Sequence, residues 1–204
     1  VTGGATGIGE VSARFFAKLG ASVAILDLDR GGERVAGEIR DTGGSAVAYA
    51  VDLANWDETR LCVERIHGEH GRLDAVAHVA GGFVRQVGLV DCPVEDWDPV
   101  VRANLSPMFH IVKAAAPHMM AAKYGRIVSF SSMAARSAVN PNPPHYTAAK
   151  AGVLGLTRQV AGELGRFGIT VNAIAPGVFR TEGTAQYMEL SGATVGISTR
   201  ANSP

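Results

Sequence analysis

The chain has no excess of either charge: Lys+Arg and Asp+Glu stand at 19 each over 204 residues. It has no basic run either, so it carries no electrostatic footprint for nucleic acid or an anionic membrane surface. No apolar stretch reaches the ~18 residues that a membrane-spanning helix needs, and no charged-then-apolar signal segment opens the sequence. The expectation is a cytoplasmic protein with no nucleic-acid and no membrane partner. Cysteine is scarce. Cys62 and Cys92 have neither metal nor redox spacing and are expected to be reduced, inert thiols. His67 and His70 flank a Gly-Glu with no further ligand near them, so they read as a solvated helix end and no metal is expected. An initiator methionine is also lacking, and only Val1 stands before the first motif.

What is present is an alternation. Apolar residues make up 47% of the chain, enough for a sizeable core, and 204 residues fit a single domain, 1–204. Ile8, Val11, Phe15, Phe16 and Leu19 recur at helical spacing, closed by Gly20. The short apolar run from Val23 to Leu26 ends at Asp27. Further apolar runs cover 46–51, 73–80, 126–132 and 169–175, and helical patterns cover 34–40, 56–67, 97–122 and 146–166. Non-alternating strands separated by helices predict a parallel sheet covered on both faces, a doubly wound α/β fold. Over 182–204 the pattern weakens into a Gly/Ser/Thr-rich loop region.

Three glycines, Gly3, Gly7 and Gly9, lie where the chain turns into the first helix. Glycines there let the backbone approach a pyrophosphate, and the free N–H groups at a helix start bind negative charge. The spacing is G-x-x-x-G-x-G, not the commoner G-x-G-x-x-G, and by itself it equally fits a ligand-free turn. Asp27, at the end of the next strand, sharpens the reading. A carboxylate there accepts hydrogen bonds from a ribose 2′-OH and repels a 2′-phosphate, which favours NAD over NADP. A turn aspartate is the plainer alternative, and Asp52 has the same ambiguity. In "YTAAK", Tyr146 and Lys150 are four apart and share a helix face. An ammonium beside a phenol favours phenolate and lowers its pKa from ~10, a plausible acid/base device for a carbonyl or alcohol.

Taken together, these stretches resemble the short-chain dehydrogenase/reductase family. "TGGATGIG" looks like its T-G-x-x-x-G-x-G loop and "HVAG" stands where it has N-N-A-G. Asn104 matches its catalytic Asn, "SFSS" precedes "YTAAK" as its Ser precedes its Tyr and Lys, and "NAIAPG" with Thr181 matches its P-G-x-x-x-T segment. The resemblance implies a Rossmann-like fold and hydride transfer between a nicotinamide and a secondary alcohol or ketone, with no metal. By it, Tyr146 is the general acid/base, and Lys150 holds the nicotinamide ribose and depresses the Tyr146 pKa. Ser132 bonds the substrate oxygen, and Asn104 holds a water that links Lys150 to solvent. Gly3, Gly7, Ile8 and Gly9 line the pyrophosphate, Asp52 and Leu53 contact adenine, and Ala80 and Gly81 lie on the adenosine ribose side. Pro176, Gly177, Val178 and Thr181 hold the nicotinamide end. It also implies a homodimer or homotetramer paired through the helices over 97–122 and 146–166. A 3-oxoacyl thioester reductase and a cyclic dihydrodiol dehydrogenase use the same residues, and a non-catalytic dinucleotide-binding regulatory protein is the rival of another class.

The chain departs from that pattern in four places. His78-Val79 replaces Asn-Asn; a ring N–H of His78 could tie the neighbouring strands, and Val79 could contribute only backbone. Ser132 and Tyr146 are fourteen positions apart, one more than the pattern, and Ser131 is the second candidate. The family's first strand is lacking apart from Val1, and its last helix and strand are not visible after about residue 190. The expectation is therefore a fragment of a longer chain, truncated at both ends. His145 either faces substrate or is a turn residue, and Arg85, Arg136 and Arg180 lie in loops at the sheet edge where ligands sit. Trp56 and Trp97 are expected to pack helices.

Overall fold

The protein is described here by a computed structural model covering residues 1–82, 86–137 and 142–177. Five parallel strands, β1 (Ser22–Asp27), β2 (Ser45–Ala50), β3 (Ala75–His78), β4 (Gly125–Phe130) and β5 (Ile169–Ile174), alternate with helices. The helices are α1 (Gly7–Lys18), α2 (Gly31–Asp41), α3 (Trp56–His70), α4 (Trp97–Asn104), α5 (Ser106–Ala122) and α6 (Pro144–Leu164). This is the single-domain, doubly wound Rossmann-like architecture that the alternation predicts.

The strands fall into two hydrogen-bonded groups, β2-β1 and β3-β4-β5. Residues 1–3 lie between them. Thr2 bridges Leu26 of β1 and His78 of β3, both in parallel sense. Leu26 N–H donates to the Val1 carbonyl at 2.8 Å, Gly3 N–H to Leu26 at 2.8 Å, and Thr2 N–H to Ala77 at 2.9 Å. Residues 1–3, where the sequence reads a strand as all but missing, thus lie in the middle of the sheet.

Side chains leave each strand alternately to the two faces, so each face has its own core. Val23 and Ile25 pack with Ala13 and Ala17 of α1, Val35, Ala36 and Ile39 of α2, and Ala46. Leu26, one residue on, belongs to the other core, with Val76, Ile127 and Val171 against Val63 and Ile66 of α3, Met108, Ile111 and Met119 of α5, and Val153 of α6. Both cores are dry, with Ile25, Val35, Met108, Met119, Ile127 and Val153 all fully buried. Local capping fixes the ends. Asn55 Oδ1 accepts the N–H groups of Asp57 and Glu58, Asn55 Nδ2 donates to Glu58 Oε1, and Gly71 closes α3 in the left-handed region.

The single helix expected over 97–122 is two helices. The break falls at Leu105 (φ −114°, ψ −46°), two residues before Pro107 in the first turn of α5. Proline offers no N–H to the Ala103 carbonyl, and its ring would crowd that oxygen, so the chain restarts. The break leaves Asn104 buried at the end of α4, 1% exposed.

Candidate active site

The turn into α1 is built on two left-handed glycines, Gly3 (φ 63°) and Gly7 (φ 56°). At the third, Gly9, a β-carbon would lie 1.9 Å from the Gly3 carbonyl oxygen, closer than any side chain allows. The first turn of α1 therefore presses against the loop before it. Thr6 gives that helix start no side-chain cap, so the first N–H groups, beginning with Gly7 and Ile8, point outward without an intrahelical acceptor. Ala5 is pinned from both sides: its N–H donates to Asp27 Oδ2 at 2.9 Å, and its carbonyl accepts from Arg34 Nη2 at 3.2 Å. Arg34 also reaches Glu10 at 2.8 Å, and this bond first, with Arg14, holds the Glu10 carboxyl below the usual carboxylate range. These residues fit a dinucleotide: the glycines allow close approach of a phosphate to the backbone, and the first amides of α1 have no intrahelical acceptor.

Asp27 thus serves its own loop, with Oδ1 accepting from Asp29 N–H at 3.0 Å as well. A carboxylate has further lone pairs, so these bonds leave room for a ribose hydroxyl. Asp52 Oδ1 accepts from Ala54 N–H at 2.8 Å. The Leu53 side chain lies in the core, and its carbonyl takes a bond from Thr59.

The segment 79–82 follows β3 and runs between the loop and α4. A β-carbon on Gly3 would lie 2.8 Å from Ala80 Cα. One on Gly81 (φ 130°) would meet Asn104 Oδ1 at 2.8 Å and Lys150 Nζ at 3.0 Å. Asn104 clamps the end of this segment. Its Oδ1 accepts from Gly82 N–H at 2.9 Å, and its Nδ2 donates to Gly82 O at 2.8 Å and Val100 O at 2.9 Å. Both amide hydrogens are committed to the chain, so the water-holding role expected of Asn104 finds no free side-chain donor.

Lys150 is 3% exposed on α6 and donates from Nζ to the Phe130 carbonyl at 3.0 Å. Burial brings its pKa down to about 8. Its Nζ lies 5.8 Å from the centre of the Tyr146 ring. Burial pushes the Tyr146 phenol above its ordinary value, and a hydrogen bond from the Ser132 side chain pulls the other way. The Lys150 ammonium is tied to Phe130, and Ser132 is the neighbour whose hydrogen bond favours the Tyr146 phenolate. The two serine candidates separate as well. Ser132 Oγ faces Tyr146 and accepts from Ala134 N–H at 3.1 Å, whereas buried Ser131 donates to the Lys150 carbonyl at 2.7 Å, holding α6 to the end of β4.

The structure brings Asn104, Gly81, Lys150, Tyr146 and Ser132 to one end of the sheet, where β3 and β4 run out. Pro176 joins them, its carbonyl accepting from Met133 N–H at 2.9 Å, and Gly177 follows in open space. Val178, Thr181, Arg85, Arg180 and the region 182–204 lie outside the described residues. Arg136 is exposed. His145 is buried and turns Nδ1 onto the Tyr146 N–H at 2.8 Å, so that nitrogen serves the helix start. His67 stacks on His118 with ring centres 4.0 Å apart. Trp56 packs against the core, while Trp97 is 44% exposed. Thr2, Arg34 and the Phe130 carbonyl are the contributors that the sequence reading missed. Two act through hydrogen bonds between segments distant in sequence, and a carbonyl has no residue signature.

A family model described as short chain dehydrogenase matches residues 1–190. A 3-oxoacyl-[acyl-carrier-protein] reductase of Synechocystis sp. is 37% identical over 186 residues, covering 90% of this chain and 74% of the relative. The structure of NAD+-bound xylitol dehydrogenase superposes with a TM-score of 0.83 at 31% identity, over 86% of this chain and 68% of that one. A Beutenbergia cavernae structure with NADP bound at low occupancy gives 0.87 at 33% identity, over 94% and 76%. Neighbours of this fold thus bind NAD(P). With the family model spanning nearly the whole chain and the loop, strand ends and helices in matching places, this chain belongs to the short-chain dehydrogenase/reductase family, oxidoreductases acting on CH–OH groups.

Proposed function

We propose that this chain interconverts a secondary alcohol and a ketone with NAD as the preferred dinucleotide. The observation that carries this reading is the convergence of Ser132 and Lys150 around Tyr146 at the strand ends. Gly3, Gly7, Ile8 and Gly9 would hold the pyrophosphate, with Asp27 on the adenosine ribose and Asp52 and Leu53 toward adenine. Ala80 and Gly81 would flank the ribose side, and Lys150 would hold the nicotinamide ribose, with Pro176, Gly177, Val178 and Thr181 at the nicotinamide end. When bound, the dinucleotide supplies the hydride acceptor or donor.

The chain's own residues handle the proton. In oxidation, the Tyr146 phenolate takes the alcohol proton onto Oη while Ser132 Oγ holds the substrate oxygen in place. In reduction, the Tyr146 phenol returns that proton to the carbonyl oxygen. The buried Lys150 cation offsets the negative charge that Tyr146 carries between these events. Asn104 clamps Gly82 and so holds Gly81 beside Lys150.

NAD preference rests on the Asp27 carboxylate, which would repel a 2′-phosphate. A second reading, reduction of a 3-oxoacyl thioester, is favoured by the 37% identity to the Synechocystis reductase. Steady-state assays of a ketone panel and a 3-oxoacyl thioester, each with NADH and NADPH, decide between them. Turnover confined to the thioester would replace the first reading, and higher kcat/KM with NADPH would overturn the cofactor preference. Binding of NADH with no turnover of any carbonyl would favour a regulatory protein.

A homodimer or homotetramer would pair α4, α5 and α6. Two half-exposed rings, Trp97 and Phe109, support this, as do the outward small residues Ala148, Ala151 and Gly155 of α6. Gly152 faces inward, where a β-carbon would meet Leu105 at 2.9 Å.

A further inference from the structure

Buried beside the first turn of the chain is a histidine that the mechanism does not use. His78 is 1% exposed at the end of β3. Its Nδ1 lies 2.9 Å from Thr2 Oγ1. That oxygen is already engaged, accepting the N–H groups of Val79 at 3.1 Å and Ala80 at 3.2 Å. A hydroxyl oxygen has two lone pairs and one hydrogen. With both lone pairs facing amide donors, the Thr2 hydrogen must go to His78 Nδ1, and that nitrogen must be the acceptor. The opposite tautomer would aim three donors at two lone pairs and leave the hydroxyl hydrogen with no acceptor. On the far side, Nε2 has no partner among the described residues, so nothing there competes with Thr2 in choosing the tautomer.

The choice has a consequence along the chain. Thr2 fixes the amides of Val79 and Ala80, and Asn104 fixes both backbone groups of Gly82. Gly81 lies between these clamps, against Lys150 Nζ and Asn104 Oδ1. We propose that His78 is a positioning residue: as the neutral Nε2–H tautomer it takes the Thr2 hydroxyl hydrogen, and so sets the course of residues 79–82 against Lys150 and Asn104. The role rests on the reading of Lys150 as part of an NAD(P)-dependent site, and it concerns the orientation of the Lys150 pocket, not the reacting atoms. Neutrality agrees with the surroundings. Burial first, then the charge of Lys150, pushes the His78 pKa down to about 3.

The test separates this proposal from the activity it serves. In the 15N-histidine-labelled chain, His78 should show a protonated Nε2 and an unprotonated Nδ1 with no titration between pH 5 and 8. The reverse tautomer, or titration in that window, overturns the proposal whether or not any carbonyl is turned over. His78→Leu and Thr2→Val should displace the Gly81 and Gly82 amide resonances. His78→Asn, whose Oδ1 stands where Nδ1 does, should restore them. If those amides are unmoved in both apolar variants, His78 is only a core residue. Where the wild type turns over a ketone, His78→Leu should raise the dinucleotide KM on the order of tenfold to a hundredfold and move the pH profile of kcat/KM. His78→Asn should return both toward wild type. Loss of thermal stability with KM and pH profile unchanged would sink the positioning role. Absence of turnover in the wild type would instead refute the functional reading and leave the tautomer and amide measurements to decide this one.

Discussion

Lys150 Nζ donates to the Phe130 carbonyl at 3.0 Å, so the buried ammonium of α6 is moored to the last residue of β4. The same cation carries a thermodynamic signature. Its pKa falls from 10.5 in the unfolded chain to about 8 in the fold. Between these values the unfolded state binds more protons, so this group's contribution makes stability rise with pH from about 8 to 10.5. Denaturant melts of wild type and Lys150→Met across that range should differ in slope, with the Met variant flatter. Equal slopes would mean that the buried ammonium is not destabilising.

Tyr146→Phe removes the group proposed to exchange the substrate proton. Turnover should fall by at least about 10³-fold, and NADH titrated by fluorescence should bind as before. Full activity in this variant would exclude the mechanism.

Ser132→Ala should lower kcat by roughly 10²-fold to 10³-fold, as for loss of one oxyanion donor. It should also leave a mark on pH. The Ser132 bond is what draws the Tyr146 pKa down against burial. Without it, the alkaline rise in alcohol oxidation should move to higher pH. Ser131→Ala serves as the contrast. It removes the bond to the Lys150 carbonyl, and its effect should be on stability, about 1 kcal/mol or more, seen in thermal melts.

Gly9→Ala introduces a β-carbon 1.9 Å from Gly3 O, which forces the loop and α1 apart. NADH affinity should be lost together with part of the fold's stability. Gly68→Ala, on the exposed face of α3, meets nothing within 4 Å among the described residues and should cost no stability; on a helix it should gain up to about 1 kcal/mol. Calorimetric titration and melting of both variants check the pair.

Much of this was readable from residue order alone. Strands and helices announced themselves because a buried parallel sheet needs continuous apolar runs, as in Val23 to Leu26, and its helices need apolar residues at helical spacing. Tyr146 and Lys150 were singled out by their spacing on one helix together with the resemblance, and Ser132 by the resemblance alone. The break at Leu105 was missed although Pro107 signalled it, because the apolar pattern runs on through the break. What Lys150 does to Tyr146 could not be read either. The sequence places them on one face of a helix, but the Phe130 carbonyl that captures the ammonium arrives from β4. Thr2 and His78 stand 76 positions apart, and only the sheet brings them together.

Among the described residues, the backbone hydrogen bonds that link β1 to β3 run through Val1, Thr2 and Gly3. Asp27 and the glycine loop lie along this seam, while Lys150, Tyr146 and Ser132 belong to the β3 side of it. A dinucleotide gripped at both ends would straddle the seam like a splint. Its binding would then tighten the join itself, and resistance to unfolding should climb with ligand concentration most steeply in the amides of residues 1–3.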